Sequence, residues 1–108
     1  MYTADIYYID DEFARRLMYI DVDIRWTPIS EDFANFRNSF RKVGTHLVDS
    51  DGVAGAEEVF DVLNNPERDD ERYQIIRQNR SFSVGDVVII DTTGFLCMPC
   101  GWSIFKVD

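Results

Sequence analysis

The stretch that decides the fold runs from residue 79 to residue 105 and reads NRSFSVGDVVIIDTTGFLCMPCGWSIF. Its part from Phe82 to Asp91 ends in a short apolar run, which is typical of a buried strand rather than a helix. Gly94 follows in a hairpin turn, because glycine takes a positive φ without steric cost. Phe95–Met98 and Trp102–Val107 read as the next two strands, so this part of the chain predicts a β-meander.

The residues before this stretch predict two helices and further strands. Met18 to Trp26 alternates apolar and polar side chains with a period of two, which is the pattern of a strand with one wet face. Ser30 is placed to cap a helix from Glu31 to Lys42, and residues 54–64 carry apolar side chains at helical spacing. We therefore expect a single α+β domain over residues 1–108, with an antiparallel sheet of about five strands and helices packed on one face. The remaining predicted strands are Thr3–Ile9 and Thr45–Val48.

The charge of the chain excludes one class of function and favours another. Eleven Lys and Arg residues stand against twenty Asp and Glu residues, for a formal net charge of −9. Proteins that bind the phosphate backbone of nucleic acids need clustered cations, so direct nucleic-acid binding is not expected. The longest apolar run is too short to cross a bilayer, and Met1 is not followed by the basic and apolar regions of a signal peptide. The expected location is the cytoplasm, and the expected partner is a protein with a basic surface.

Two groups of acidic residues are the candidate binding surface. One group lies on the alternating stretch near residue 22, and the other lies between residues 57 and 71. Together they could form an acidic surface that imitates the charges of a nucleic acid, although two ordinary solvated faces would have the same composition. The candidate residues are Asp21, Asp23, Glu57, Glu58, Asp61, Glu67, Asp69, Asp70 and Glu71.

The chain has few residues of the types that usually carry catalysis or bind metals. Cys97 and Cys100 form a CxxC pair, and His46 is the only histidine. A structural zinc site needs four ligands, and a redox CxxC normally starts a helix, whereas this pair lies between two predicted strands. His46 could act as a general base only beside a nucleophile, and no motif places one there. We expect structural thiols and no cofactor.

A resemblance adds to this interpretation. The segment SFSVGDVV at residues 81–88, followed by FLC at residues 95–97 and by Gly101-Trp102, is similar to the YodL-like group. That group contains small proteins of phages, plasmids and actinobacteria. The sequence AEEVFDVLNN at residues 56–65 resembles the helix that precedes the same module. The resemblance implies a mobile-element protein with a role in host takeover or anti-defence, and it supplies no catalytic residue.

The leading hypothesis is a small acidic, non-enzymatic protein of a mobile element that binds a host or phage protein. The alternative is a DNA mimic that inhibits a nucleic-acid-binding or defence protein. A small metal-dependent or thiol-dependent enzyme is the third hypothesis. An aromatic patch of Tyr7, Tyr8 and Tyr19 could also pair two chains into a homodimer.

Overall fold

A computed structural model describes residues 1–76 and 80–107 and contains a five-stranded antiparallel sheet in the order β2-β1-β3-β4-β5. The predicted α+β class and the C-terminal meander β3-β4-β5 are confirmed. The strands are β1 Tyr2–Ile9, β2 Phe40–Val48, β3 Val87–Ile90, β4 Thr93–Cys97 and β5 Trp102–Lys106. The helices are α1 Asp11–Leu17, α2 Thr27–Glu31, α3 Phe33–Phe36, α4 Val53–Asn64 and α5 Asp69–Ile75, with 3-10 helices at Arg37–Ser39 and Pro66–Arg68. None of these helices has the length and hydropathy of a segment that spans a bilayer.

The sheet is covered by helices on both faces, which corrects the expectation of one helical face. Alternate residues of β1 point to opposite sides, as the pleat requires. Ala4, Ile6 and Tyr8 join an apolar cluster with α4, whereas Tyr7 and Ile9 join a second cluster that includes residues of α1, α2 and α3. The central strand β3 is apolar at every position and buried on both sides. An uninterrupted apolar strand needs cover on both faces, and the two helical layers supply it.

The predicted strand from Met18 to Trp26 is wrong. This segment forms turns between α1 and α2. Its apolar side chains from Met18 to Ile24 face solvent, with Val22 55% exposed, whereas Trp26 is buried. The Arg25 guanidinium donates to the Ile20 and Met18 carbonyl oxygens at 3.0 and 3.3 Å and closes the segment into a compact loop. Both neighbours of β1 are supplied by later parts of the chain, β2 and β3, and residues 18–26 are paired with none of the five strands.

The predicted continuous helix from Glu31 to Lys42 is also wrong. The chain breaks at Asp32, where φ is −148° and ψ is 57°, and only the short α3 and a 3-10 turn follow before β2 begins at Phe40. The Ser30 hydroxyl donates to the Thr27 carbonyl instead of capping a helix. Gly44, just after the end of the predicted helix, lies inside β2, where an added Cβ would come 2.4 Å from the Ile75 carbonyl oxygen. Close approach of β2 to the end of α5 therefore requires glycine at this position.

Candidate functional site

The helical layer formed by α4, the 3-10 helix at Pro66–Arg68 and α5 carries most of the predicted acidic residues. The polypeptide turns sharply after α4, because Pro66 starts the 3-10 helix and the Asn65 side chain accepts a hydrogen bond from the Glu67 N–H at 3.0 Å. This turn brings α5 back beside α4. We call the seven carboxylates of this layer the acidic face: Glu57, Glu58, Asp61, Glu67, Asp69, Asp70 and Glu71.

Arg68 gathers three of these carboxylates around one guanidinium. It forms a two-pronged pair with Glu58, with N–O distances of 2.8 and 3.0 Å. It also contacts Asp61 at 2.8 Å and Glu71 at 2.8 and 3.0 Å. Glu58 also contacts His46 on β2, with 2.9 Å between His46 Nε2 and Glu58 Oε2. This network ties α4, α5 and the edge strand together, so its first effect is structural.

The network changes the acidity of its members. Hydrogen bonds from Arg68, opposed by partial burial and helped by His46, lower the pKa of Glu58 to about 2. The same guanidinium lowers the pKa of Glu71. Both carboxylates therefore remain charged well below neutral pH.

Four carboxylates of the acidic face are exposed and have no ion-pair partner in the described part of the chain: Glu57, Glu67, Asp69 and Asp70. Asp21 and Asp23 do not join them. They lie in the loop between α1 and α2, on the opposite side of the sheet, where Asp21 accepts a hydrogen bond from the Asp23 N–H at 3.0 Å. The nine predicted residues therefore form two separate groups, and seven of them share one layer.

The structure does not bring the predicted chemical groups together. His46 lies on β2 and Cys97 on β4, and β1 and β3 lie between these strands, so about 14 Å separates them at the usual strand spacing. Cys97 is buried, and burial, with the charges of Asp86 and Glu57, raises the pKa of its thiol to about 11. Cys100 is exposed in the β4–β5 turn. Within residues 1–76 and 80–107, no three His, Cys, Asp or Glu side chains are grouped to hold a metal ion.

A buried carboxylate that the sequence interpretation did not single out lies just before β3. Asp86 is completely buried and accepts four hydrogen bonds. Two come from the N–H groups of Ile9 and Ser83, at 2.9 and 2.8 Å, and two come from the Arg80 guanidinium, at 2.7 and 2.6 Å. The same guanidinium lies 4.0 Å from the centre of the Tyr8 ring. Burial raises the pKa of Asp86, and Arg80 and the two backbone donors oppose this shift.

These contacts explain why the sequence SVGD at residues 83–86 precedes β3. The turn closes through the Asp86 N–H, which donates to the Ser83 carbonyl at 3.0 Å, and Gly85 has a φ of 95°. A side chain at Gly85 would also collide with the Trp26 ring, 2.8 Å from the Cβ position. The part of the chain that carries the YodL-like resemblance therefore has a structural role as the corner that anchors the meander to β1.

The predicted tyrosine patch is wrong, because Tyr7 and Tyr8 are buried in β1, so Tyr19 is the one exposed residue of the three. Exposed apolar side chains instead cluster in the loop between α1 and α2: Met18, Tyr19, Ile20, Val22 and Ile24. Tyr19 is thus part of a different apolar surface from the one expected.

Protein-family models, curated proteins and solved structures show no match to this chain. The resemblance to the YodL-like group therefore stays a prediction.

Proposed function

We propose that this protein is a small, non-enzymatic binding protein whose acidic face docks onto a basic surface of a protein partner. The observation that carries the proposal is a set of exposed carboxylates, Glu57, Glu67, Asp69 and Asp70, which lie in one helical layer and have no ion-pair partner within residues 1–76 and 80–107. Carboxylates that are already exposed and unpaired can meet cations of a partner without first breaking an ion pair. The Arg68 network fixes the backbone beneath them, which lowers the ordering cost of binding.

The groups that could support catalysis are engaged or distant, which favours binding over chemistry. The Cys97 thiol is buried and His46 is paired with Glu58 on another strand. Asp86 is saturated with hydrogen bonds to Ile9, Ser83 and Arg80. A nucleophile and a base within hydrogen-bonding distance of each other are the usual requirement of covalent catalysis, and these groups do not meet it.

The expected binding is salt-sensitive. Exposed charges are screened over about 10 Å at 0.1 M salt, so a partner held by the acidic face associates more slowly and binds more weakly as salt rises. A mobile-element origin and a host or phage partner rest on the resemblance described above. The DNA-mimic alternative is a special case of the same proposal, in which the basic surface is a nucleic-acid-binding groove.

The test compares two triple variants that each remove three negative charges. One changes Glu67→Gln, Asp69→Asn and Asp70→Asn on the acidic face, and the control changes Asp21, Asp23 and Glu31 in the same way on the opposite layer. Partners are captured from a lysate of the native host, and the affinity of the purified partner is then measured by calorimetry at several salt concentrations.

We expect the acidic-face variant to bind at least tenfold more weakly with a flatter salt dependence. The control variant should bind like the unsubstituted protein, and thermal unfolding checks that both fold. Equal losses in the two variants, or binding that ignores salt, would contradict the proposal. Release of the partner by duplex DNA would assign the DNA-mimic alternative.

A further inference from the structure

A small pocket opens where α4 meets the turn between β4 and β5. Its volume is about 180 Å³. Its walls are Glu57 and Phe60 of α4, Trp102 of β5, and Met98, Pro99 and Gly101 of the turn between β4 and β5. Sites for drug-sized ligands and cofactors are usually 300–1,000 Å³, so this pocket suits a single side chain.

The two aromatic walls of the pocket stand at right angles. The ring centres of Phe60 and Trp102 are 6.4 Å apart, and their planes meet at 88°. Phe82 lies behind both rings, 6.1 Å from Phe60 and 5.9 Å from Trp102, and is itself buried. Phe60 remains 38% exposed, although its neighbours Val59 and Val62 are fully buried. The fold thus holds an aromatic corner open to solvent.

The electrostatics of the pocket favour a cation. The face of an aromatic ring carries partial negative charge, and a cation within about 6 Å of a ring centre is attracted to it. Glu57 precedes Phe60 by three residues on α4, so the two side chains are neighbours on the helix surface. Cys97 also lines the pocket, and the raised pKa of its thiol keeps it uncharged near neutral pH. Glu57 is therefore the one charged group among the residues that line the pocket.

We propose that this pocket receives an arginine side chain of the partner, with the guanidinium against the Phe60 and Trp102 rings and paired with Glu57. A guanidinium is planar, stacks on aromatic faces and presents two N–H groups to one carboxylate, whereas an ammonium acts as a point charge. The inference rests on the proposed function, because Glu57 belongs to the acidic face, and it adds a specific anchor to a general electrostatic surface.

The test uses a minimal probe, Nα-acetyl-arginine N-methylamide, titrated into the full chain and followed by NMR. The indole N–H of Trp102 reports on the pocket, and that of Trp26, which is buried on the other side of the sheet, serves as an internal reference. The citrulline derivative has the same shape without the charge, and the lysine derivative has the charge without the planar group.

We expect the arginine probe to shift the Trp102 signal with a dissociation constant in the millimolar range, leaving Trp26 unchanged. The citrulline probe should bind at least tenfold more weakly, and the lysine probe should fall between the two. Equal binding of arginine and citrulline would overturn the proposal, because an apolar pocket would then account for the contact. A lysine probe that binds more tightly than arginine would overturn the choice of guanidinium.

Two variants locate the contact. Glu57→Gln should weaken the arginine probe about fivefold, and Phe60→Leu, which keeps an apolar side chain at a half-exposed position, should abolish the shift. Glu67→Gln is the matched control, since it removes the same charge from the same face outside the pocket. If Glu57→Gln and Glu67→Gln weakened the arginine probe equally, the net negative charge of the acidic face would explain its binding. That result would contradict the proposal that the guanidinium binds in the pocket. The proposed function is tested with the Glu67, Asp69 and Asp70 triple variant, whose residues lie outside the pocket. That test can support the acidic face even when the arginine probe fails to bind, so the two proposals are separable.

Discussion

Asp86→Asn is the most informative perturbation of the fold, because the change is nearly isosteric and removes only charge and one acceptor. The carboxylate accepts from the Ile9 and Ser83 N–H groups and from both terminal nitrogens of Arg80. An asparagine can place one oxygen in this site, and its NH₂ group then faces two donors. One backbone N–H is left without an acceptor in a fully buried position.

The expected loss follows from these contacts. A buried donor without a partner costs about 1–3 kcal/mol. Loss of the charged partner of Arg80 adds a further contribution, which is smaller than for a fully buried pair because the Arg80 side chain is 32% exposed and can turn to water. We expect Asp86→Asn to lower the free energy of unfolding by about 2–5 kcal/mol. This is a large fraction of the usual stability of a domain of this size.

Urea unfolding followed by circular dichroism at pH 7 measures this loss. Asp91→Asn is the matched control, since Asp91 is exposed, lies after the same strand and has a φ of 54°, a conformation that both residues tolerate. The control should change stability by less than about 0.5 kcal/mol. If Asp86→Asn were as stable as the control, the buried carboxylate would not anchor the meander, and our account of the SVGD turn would be refuted.

Three further predictions concern pH, a helix glycine and self-association. Hydrogen bonds from Arg68 hold the pKa of Glu58 near 2 in the folded state, so the stability it contributes should be present above pH 4.5 and lost as pH falls to about 2. Glu58→Gln should lose less stability between pH 5 and pH 2.5 in urea titrations, by a modest amount because the carboxylate is partly exposed. Gly55→Ala should destabilise the protein by about 1–3 kcal/mol despite alanine's helix propensity, since the new Cβ would lie 2.2 Å from the Ser50 carbonyl oxygen. Gly52→Ala is the control and should be tolerated, because the nearest atom to its new Cβ is 3.6 Å away. Equal effects of the two variants in thermal unfolding would contradict this prediction. Light scattering tests the predicted homodimer, now through the exposed apolar residues 18–24, and a monomer mass at every concentration would reject it.

The elements that the sequence predicts well are those defined by local signals. The helix at residues 53–64 and the three C-terminal strands agree with the pattern of apolar residues. Gly94, expected in the hairpin turn, instead lies inside β4, and the residue with a positive φ in that turn is Asp91. These signals are local because a turn or an amphipathic face is decided by residues a few positions apart. The concentration of carboxylates between residues 57 and 71 is likewise visible from the sequence.

The sequence failed to predict features that depend on contacts between distant parts of the chain. Residues 18–26 alternate like a strand, but β2 and β3 occupy both sides of β1. The gathering of Glu58, Asp61 and Glu71 around Arg68 depends on the reversal of the chain after α4. A pattern can show that a segment is able to pair, but it cannot show which distant segment it contacts in the folded protein.

The amino-acid sequence alone determined the α+β class, the C-terminal meander, the large negative charge and its concentration near α4, because composition, periodicity and turn residues are properties of short stretches. Only the tertiary structure decided that the sheet is covered on both faces and that Asp86 is a buried anchor. It also decided that Glu57, Phe60 and Trp102 share a pocket. Each of these depends on contacts between residues far apart in the chain, whose cost in chain entropy is recovered only when the whole core forms.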